Sequence, residues 1–176
     1  MPMSIESVYV GSIMTKGVRT ANPSQPFKAV ANIMSLYNIG SVVINDAENG
    51  LPAGIITEKD IVRIAGTSEV ILTQLVASDI MSKPVITINP KGSIKDAIQT
   101  MQLRNIRRLP VVDNEKKTMV GIVTDSDIFR AIMRSQSMIT TVNQSVIIEQ
   151  YRPVYERLSE FMLNEMLLPS PRSGNQ

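Results

Sequence analysis

Two copies of one pattern run through this chain, offset by 67 residues, and no gap is needed to align them. Gly54-Ile55-Ile56-Thr57-Glu58-Lys59-Asp60-Ile61 returns as Gly121-Ile122-Val123-Thr124-Asp125-Ser126-Asp127-Ile128. Around this core Ile13-Met14 returns as Ile80-Met81, Thr20 as Thr87, Asn22-Pro23 as Asn89-Pro90, Met34 as Met101 and Asn38-Ile39 as Asn105-Ile106. A unit of roughly 60 residues is marginal as an isolated fold. Two such units can cover each other's exposed faces. The expectation is one domain of approximate two-fold symmetry, with two equivalent clefts between the copies.

The first copy shows what each unit contains. Residues 4–14 open with Ser4 as a cap, and Val18–Thr20 is a short extended piece. Asn22-Pro23-Ser24-Gln25-Pro26 is a turn. Phe27, Val30, Ala31, Met34 and Tyr37 recur at helical spacing, which predicts an amphipathic helix over 26–38. Ser41–Ile44 reads as a strand, 46–50 as a hairpin loop, and a second strand ends at Thr57 before a helix to about Gly66. Each copy is thus β-α-β-β-α, and the fold class is α/β. The copies take residues 8–66 and 75–134, with 67–78 as the connecting segment.

Thr57 and Thr124 stand where a buried strand gives way to a helix, each with an aspartate three residues on. Met once, Thr-x-x-Asp is simply a capping box. Its return in register gives it more weight. A threonine cap leaves backbone N–H groups and the positive end of the helix dipole at the junction, which suits a phosphate. The carboxylates of Asp60 and Asp127 can each accept hydrogen bonds from the hydroxyls of a ribose. Phosphate at one end and ribose at the other describe a nucleotide site.

Composition removes several alternatives. The chain has no cysteine and no histidine, so thiolate chemistry, zinc cages and the commonest general base are absent. Eighteen basic residues against 16 acidic ones give a net charge of +2, without the basic cluster a nucleic-acid binder displays. Three Phe, four Tyr and no Trp offer few stacking platforms for single strands. The N-terminus lacks the pattern of a signal peptide, and no apolar run reaches the ~18 residues of a membrane span, so the expected location is the cytoplasm. Neither an enzyme nor a metal centre is expected.

The ordered, doubled set of motifs resembles the cystathionine-beta-synthase (CBS) domain, which pairs in tandem. The residues that carry the resemblance are Val10-Gly11-Ser12-Ile13-Met14-Thr15, Ala77-Ser78-Asp79-Ile80-Met81-Ser82, Asn105–Asp113 and the two Gly-x-x-Thr-x-x-Asp segments, covering about residues 8–134. The resemblance implies a regulatory sensor that binds AMP, ADP or ATP between the repeats; the alternatives are a regulator that binds S-adenosylmethionine and a nucleic-acid-binding regulator that uses the C-terminal segment. It also implies a homodimer acting on a client protein. Carried over by position, Asp60 and Asp127 hold ribose, and Thr57 and Thr124 stand near phosphate. Arg107 and Arg108 match positions where the family's adenylate-sensing kinase subunit uses basic residues on phosphates. Neighbours entering a strand point to opposite faces, so the two arginines are expected to serve different clefts. The first copy carries Gly40-Ser41 there instead, so the clefts are expected to differ. Ser41 lines the first cleft, and Ile39 and Ile106 are candidates for the apolar slot that takes adenine.

Beyond the repeats, Ile148, Tyr151, Tyr155, Leu158 and Met162 form an apolar stripe, predicting an amphipathic helix over 145–168 that packs on its own subunit or across a dimer. Residues 169–176, rich in Pro and Ser, are expected to be disordered.

Overall fold

The computed structural model describes residues 8–66 and 74–134. Ser4, most of the connecting segment, the expected C-terminal helix and the tail lie outside the described residues. The first copy contains α1 (Val10–Ile13), β1 (Thr20–Ala21), α2 (Phe27–Tyr37), β2 (Ser41–Asn45), β3 (Pro52–Thr57) and α3 (Glu58–Ala65). The second contains α4 (Ala77–Ile80), α5 (Ile94–Arg104), β4 (Arg108–Asp113), β5 (Thr118–Thr124) and α6 (Asp125–Arg134). Helix α5 is α2 moved by the repeat distance, residue for residue, and α4 is α1 moved likewise. Both long helices stop at an asparagine in the left-handed conformation, Asn38 at φ 49° and Asn105 at φ 50°. Asparagine tolerates that conformation better than other side chains, and it turns the chain from the helix into the next strand.

Strand β2 runs antiparallel to β3 and parallel to the short β1. In the second copy β4 and β5 form the matching hairpin. The expected opening strand of that copy is reduced to one parallel bridge between Ile88 and Val111. Prolines at 84 and 90 bracket that segment and leave little room for a ladder.

The two cores are closed by an exchange. Val8 and Val10 from the first copy are buried with Ile94, Ile98, Leu109, Val123 and Ile128 of the second. Ala77 and Ile80 are buried with Phe27, Val30, Val42 and Ile56 of the first. Hydrogen bonds repeat the exchange in register. Val10 N donates to Gly92 O at 2.8 Å as Ala77 N donates to Gln25 O at 2.8 Å, and Ile94 N donates to Val8 O as Phe27 N donates to Leu75 O. Behind each opening helix a methionine lies on a glycine of the opposite hairpin, Met14 on Gly121 and Met81 on Gly54. A Cβ at residue 121 would lie 2.7 Å from Met14 Sδ and 2.8 Å from Thr15 O, so glycine is what permits this approach. The exchange brings the two copies into one body and sets the N-termini of α3 and α6 in equivalent places.

Candidate ligand-binding clefts

Each cleft begins at a strand end. Strand β3 delivers Thr57 in extended conformation, and α3 starts at the next residue. Thr57 N and Oγ1 both donate to Asp60 Oδ2, at 2.9 and 2.7 Å, while Asp60 N donates back to Thr57 Oγ1 at 3.4 Å. In the second copy Thr124 N and Oγ1 donate to Asp127 Oδ2 at the same two distances, and Asp127 N returns the bond at 3.2 Å. The capping reading of these threonines is therefore correct in both copies. It also fixes each carboxylate, because Oδ2 spends both lone pairs on the cap and Oδ1 is left for another partner. Asp60 and Asp127 are the buried charged side chains among the described residues.

Oδ1 has a partner that the sequence reading passed over. Arg63 Nη2 lies 3.2 Å from Asp60 Oδ1, and Arg130 Nη2 lies 2.5 Å from Asp127 Oδ1. The two arginines stand in register, and that repetition was the signal available to find them.

The neighbouring positions diverge between copies. Ser41 pairs with Thr57 across the β2–β3 ladder, and Arg108 pairs with Thr124 across β4–β5. From there the Arg108 side chain crosses to the first copy and lies against Gly40; a Cβ at residue 40 would run into its guanidinium and sit 3.2 Å from Glu58 Oε2. Arg108 is half-buried, and its guanidinium has no hydrogen-bond or ion-pair partner among the described residues. Arg107 points the other way, its Nε 4.0 Å from Asp125 Oδ2 at the start of α6. The two arginine side chains thus part to different copies. Arg108 brings positive charge to the start of α3, where Glu58 N also donates to Gly40 O at 3.2 Å. The equivalent residue of the first copy, Ser41, is too short to return the favour. Ile39 and Ile106 are half-buried beside the two cores and leave part of each side chain open at the strand entrances. Among the described residues no cluster of carboxylates is arranged to hold a metal ion, and no helix is long and apolar enough to cross a membrane.

Comparison with known proteins identifies the two repeats and their fold. The profile of the CBS domain matches residues 10–66 and again residues 77–134. Protein MK0525 of Methanopyrus kandleri is 39% identical over 126 residues, which take in 72% of this chain and 63% of that protein. The CBS domain-containing protein YhcV of Bacillus subtilis is 34% identical over 128 residues, covering 73% of this chain and 88% of its own. Among solved structures, the CBS domain pair of protein MJ0100 in complex with 5′-methylthioadenosine and S-adenosyl-L-methionine superposes with a TM-score of 0.65 at 30% identity, covering 73% of this chain and 98% of that one. Two matched repeats, in the order and spacing that the sequence pattern and the fold both display, make this chain a tandem member of the CBS domain family.

Proposed function

We propose that the chain is a regulatory module, not an enzyme, which binds adenosine-containing ligands at the N-termini of α3 and α6 and reports them to a client protein. The observation that carries this reading is the in-register pair of buried carboxylates, Asp60 and Asp127, each held through Oδ2 by its own threonine cap, which leaves Oδ1 outside the cap. Ribose hydroxyls donate to Oδ1, adenine lies against Ile39 or Ile106, and phosphate meets the helix N-terminus. AMP, ADP and ATP are favoured over a cationic sulfonium ligand because the Arg108 guanidinium, without a partner among the described residues, attracts phosphate and repels positive charge. S-adenosylmethionine is the second reading, supported by the ligands of the MJ0100 pair. Regulation follows only if the ligand binds two conformations or assembly states with different affinity. The assembly is a homodimer, for which Leu36 and Leu103, in register and 76% and 84% exposed, supply a two-fold apolar surface.

The test is a thermal-shift and calorimetric panel of adenosine, AMP, ADP, ATP, S-adenosylmethionine and GMP, with light scattering on the same samples to read the dimer. Adenosine compounds should raise the melting temperature and GMP should not. Equal stabilisation by AMP and GMP, or by none of the panel, overturns the ligand reading; a monomer at every concentration overturns the dimer.

A further inference from the structure

The two carboxylates assigned to ribose are already engaged. Oδ2 of each accepts from the threonine N and Oγ1 of its own cap, which uses both lone pairs. Oδ1 accepts from an arginine one turn further along the helix, Arg63 in α3 and Arg130 in α6. These guanidinium groups are not built into the core: the Arg63 and Arg130 side chains are 64% and 58% exposed, against 11% and 6% for their aspartates. The carboxylate orientation does not depend on them, because two hydrogen bonds from the cap already fix it. What they occupy is the oxygen that a ribose needs.

We infer that Arg63 and Arg130 are displaceable covers on the ribose-accepting oxygens and set how strongly the clefts discriminate ribose from 2′-deoxyribose. This inference rests on the adenosine reading above. Oδ1 has two lone pairs, and the arginine takes one of them. A single sugar hydroxyl can use the other without disturbing the pair. The two adjacent hydroxyls of a ribose require both, so the guanidinium must swing out into solvent. Binding of adenosine therefore costs the arginine–aspartate contact, whereas binding of 2′-deoxyadenosine does not. The exchange is feasible because each arginine side chain is more than half exposed, and a long exposed side chain regains rotamer freedom on release. Nothing in the sequence pattern of a capping box requires an arginine at the next turn, yet both copies have one.

The experiment uses the full chain carrying Arg63→Met and Arg130→Met together, with adenosine and 2′-deoxyadenosine as uncharged probes in calorimetry. Methionine keeps the stem and removes the charge. Adenosine should bind roughly fivefold more tightly than to wild type, the scale set by one partly exposed ion pair, while 2′-deoxyadenosine stays within about twofold. Raising the salt from about 0.05 to 0.5 M should tighten adenosine binding to wild type by screening the ion pairs, and leave the variant unchanged. Arg63→Lys with Arg130→Lys, which keeps the charge, guards against a methionine variant that does not fold; it should retain both the weaker adenosine binding and the salt response. Unchanged or weaker adenosine binding by the folded methionine variant, with unchanged preference for ribose, overturns the cover. Absence of adenosine binding by wild type overturns the adenosine reading itself, and the two failures are told apart by the wild-type titration alone.

Discussion

Arg108 marks where the two copies differ beside the proposed clefts. Its partner position in the first copy is Ser41, and the position beside that is Gly40 where the second copy has Arg107. Gly40 matters as much as Arg108, because a side chain there would occupy the space of the guanidinium. Arg107, by contrast, is 66% exposed and already faces Asp125. Charge-assisted contact with phosphate is worth about 1.5–3 kcal/mol, so Arg108→Gln should weaken AMP by roughly ten- to hundredfold and leave adenosine nearly unchanged. Arg107→Gln should have the smaller effect, since its charge is partly answered and well hydrated. Titrations of both variants with AMP and adenosine check this; equal losses for the two ligands would make Arg108 a structural residue rather than a reader of phosphate. The Thr-x-x-Asp residues and the divergence of the two arginines were legible in the sequence, because both follow from local rules of capping and strand alternation. The Arg63 and Arg130 contacts were not read, although their spacing was visible, because a solvated arginine on a helix is ordinarily silent.

Helices α2 and α5 share their length, their left-handed exits and their apolar faces, yet they begin differently. Ser93 caps α5 with a reciprocal box: Ser93 N and Oγ donate to Asp96 Oδ2 at 2.9 and 2.8 Å, and Asp96 N returns a bond to Oγ at 3.1 Å. At the same place α2 has Pro26 and no side-chain cap. The hydrogen bond from the Ser93 backbone, followed by that from its hydroxyl, holds the Asp96 carboxyl below its ordinary value of 3.8. A group whose folded pKa is depressed contributes stability above its unfolded pKa and loses it as pH falls through the folded pKa. The contribution of this cap is therefore complete at neutral pH and disappears below about pH 4. Ser93→Ala should cost about 1 kcal/mol at pH 7. It should flatten the acid limb of the stability curve only in part, because the residue 93 N–H still donates to Asp96. The fuller flattening belongs to Asp96→Asn, which removes the titrating carboxyl, as measured by denaturant unfolding from pH 7 down to about pH 3. An unchanged acid limb in Asp96→Asn would remove the pH role from this cap. The helices, hairpins and their order were readable from apolar periodicity and turn residues. The near-loss of the opening strand in the second copy was not, since Val85-Ile86-Thr87 has the composition of a strand and only the flanking prolines argue against a ladder.

At the scale of the whole molecule, the exchange of opening helices decides how the protein comes apart. Periodicity reports that Val10 and Ile80 are buried but not in which core, so the exchange could not be read from the chain. Its consequence is mutual dependence: residues 8–14 complete the core of the second copy, and residues 75–81 complete that of the first. Each repeat is too small to hold a stable core alone, and removing either opening helix exposes the apolar face it covers. Two repeats joined only by a linker would melt independently, and damage to one would split the transition. Here the whole body should unfold in one cooperative step, with calorimetric and van't Hoff enthalpies in agreement. Val10 is fully buried in the second core although it belongs to the first repeat. Truncating it, Val10→Ala, removes two methyl-sized groups and leaves a cavity, at about 1–3 kcal/mol. The expected result is a single transition moved to lower temperature, reported alike by backbone circular dichroism and by Tyr37 fluorescence in a background carrying Tyr9→Phe, Tyr151→Phe and Tyr155→Phe, where Tyr37 is the remaining tyrosine. Two separated transitions in the variant, with the tyrosine signal unmoved, would mean that the repeats are energetically independent despite the exchange. Under the proposed function the same coupling would give ligand binding its reach, because a ligand that tightened one cleft would stabilise a core partly built from the other repeat.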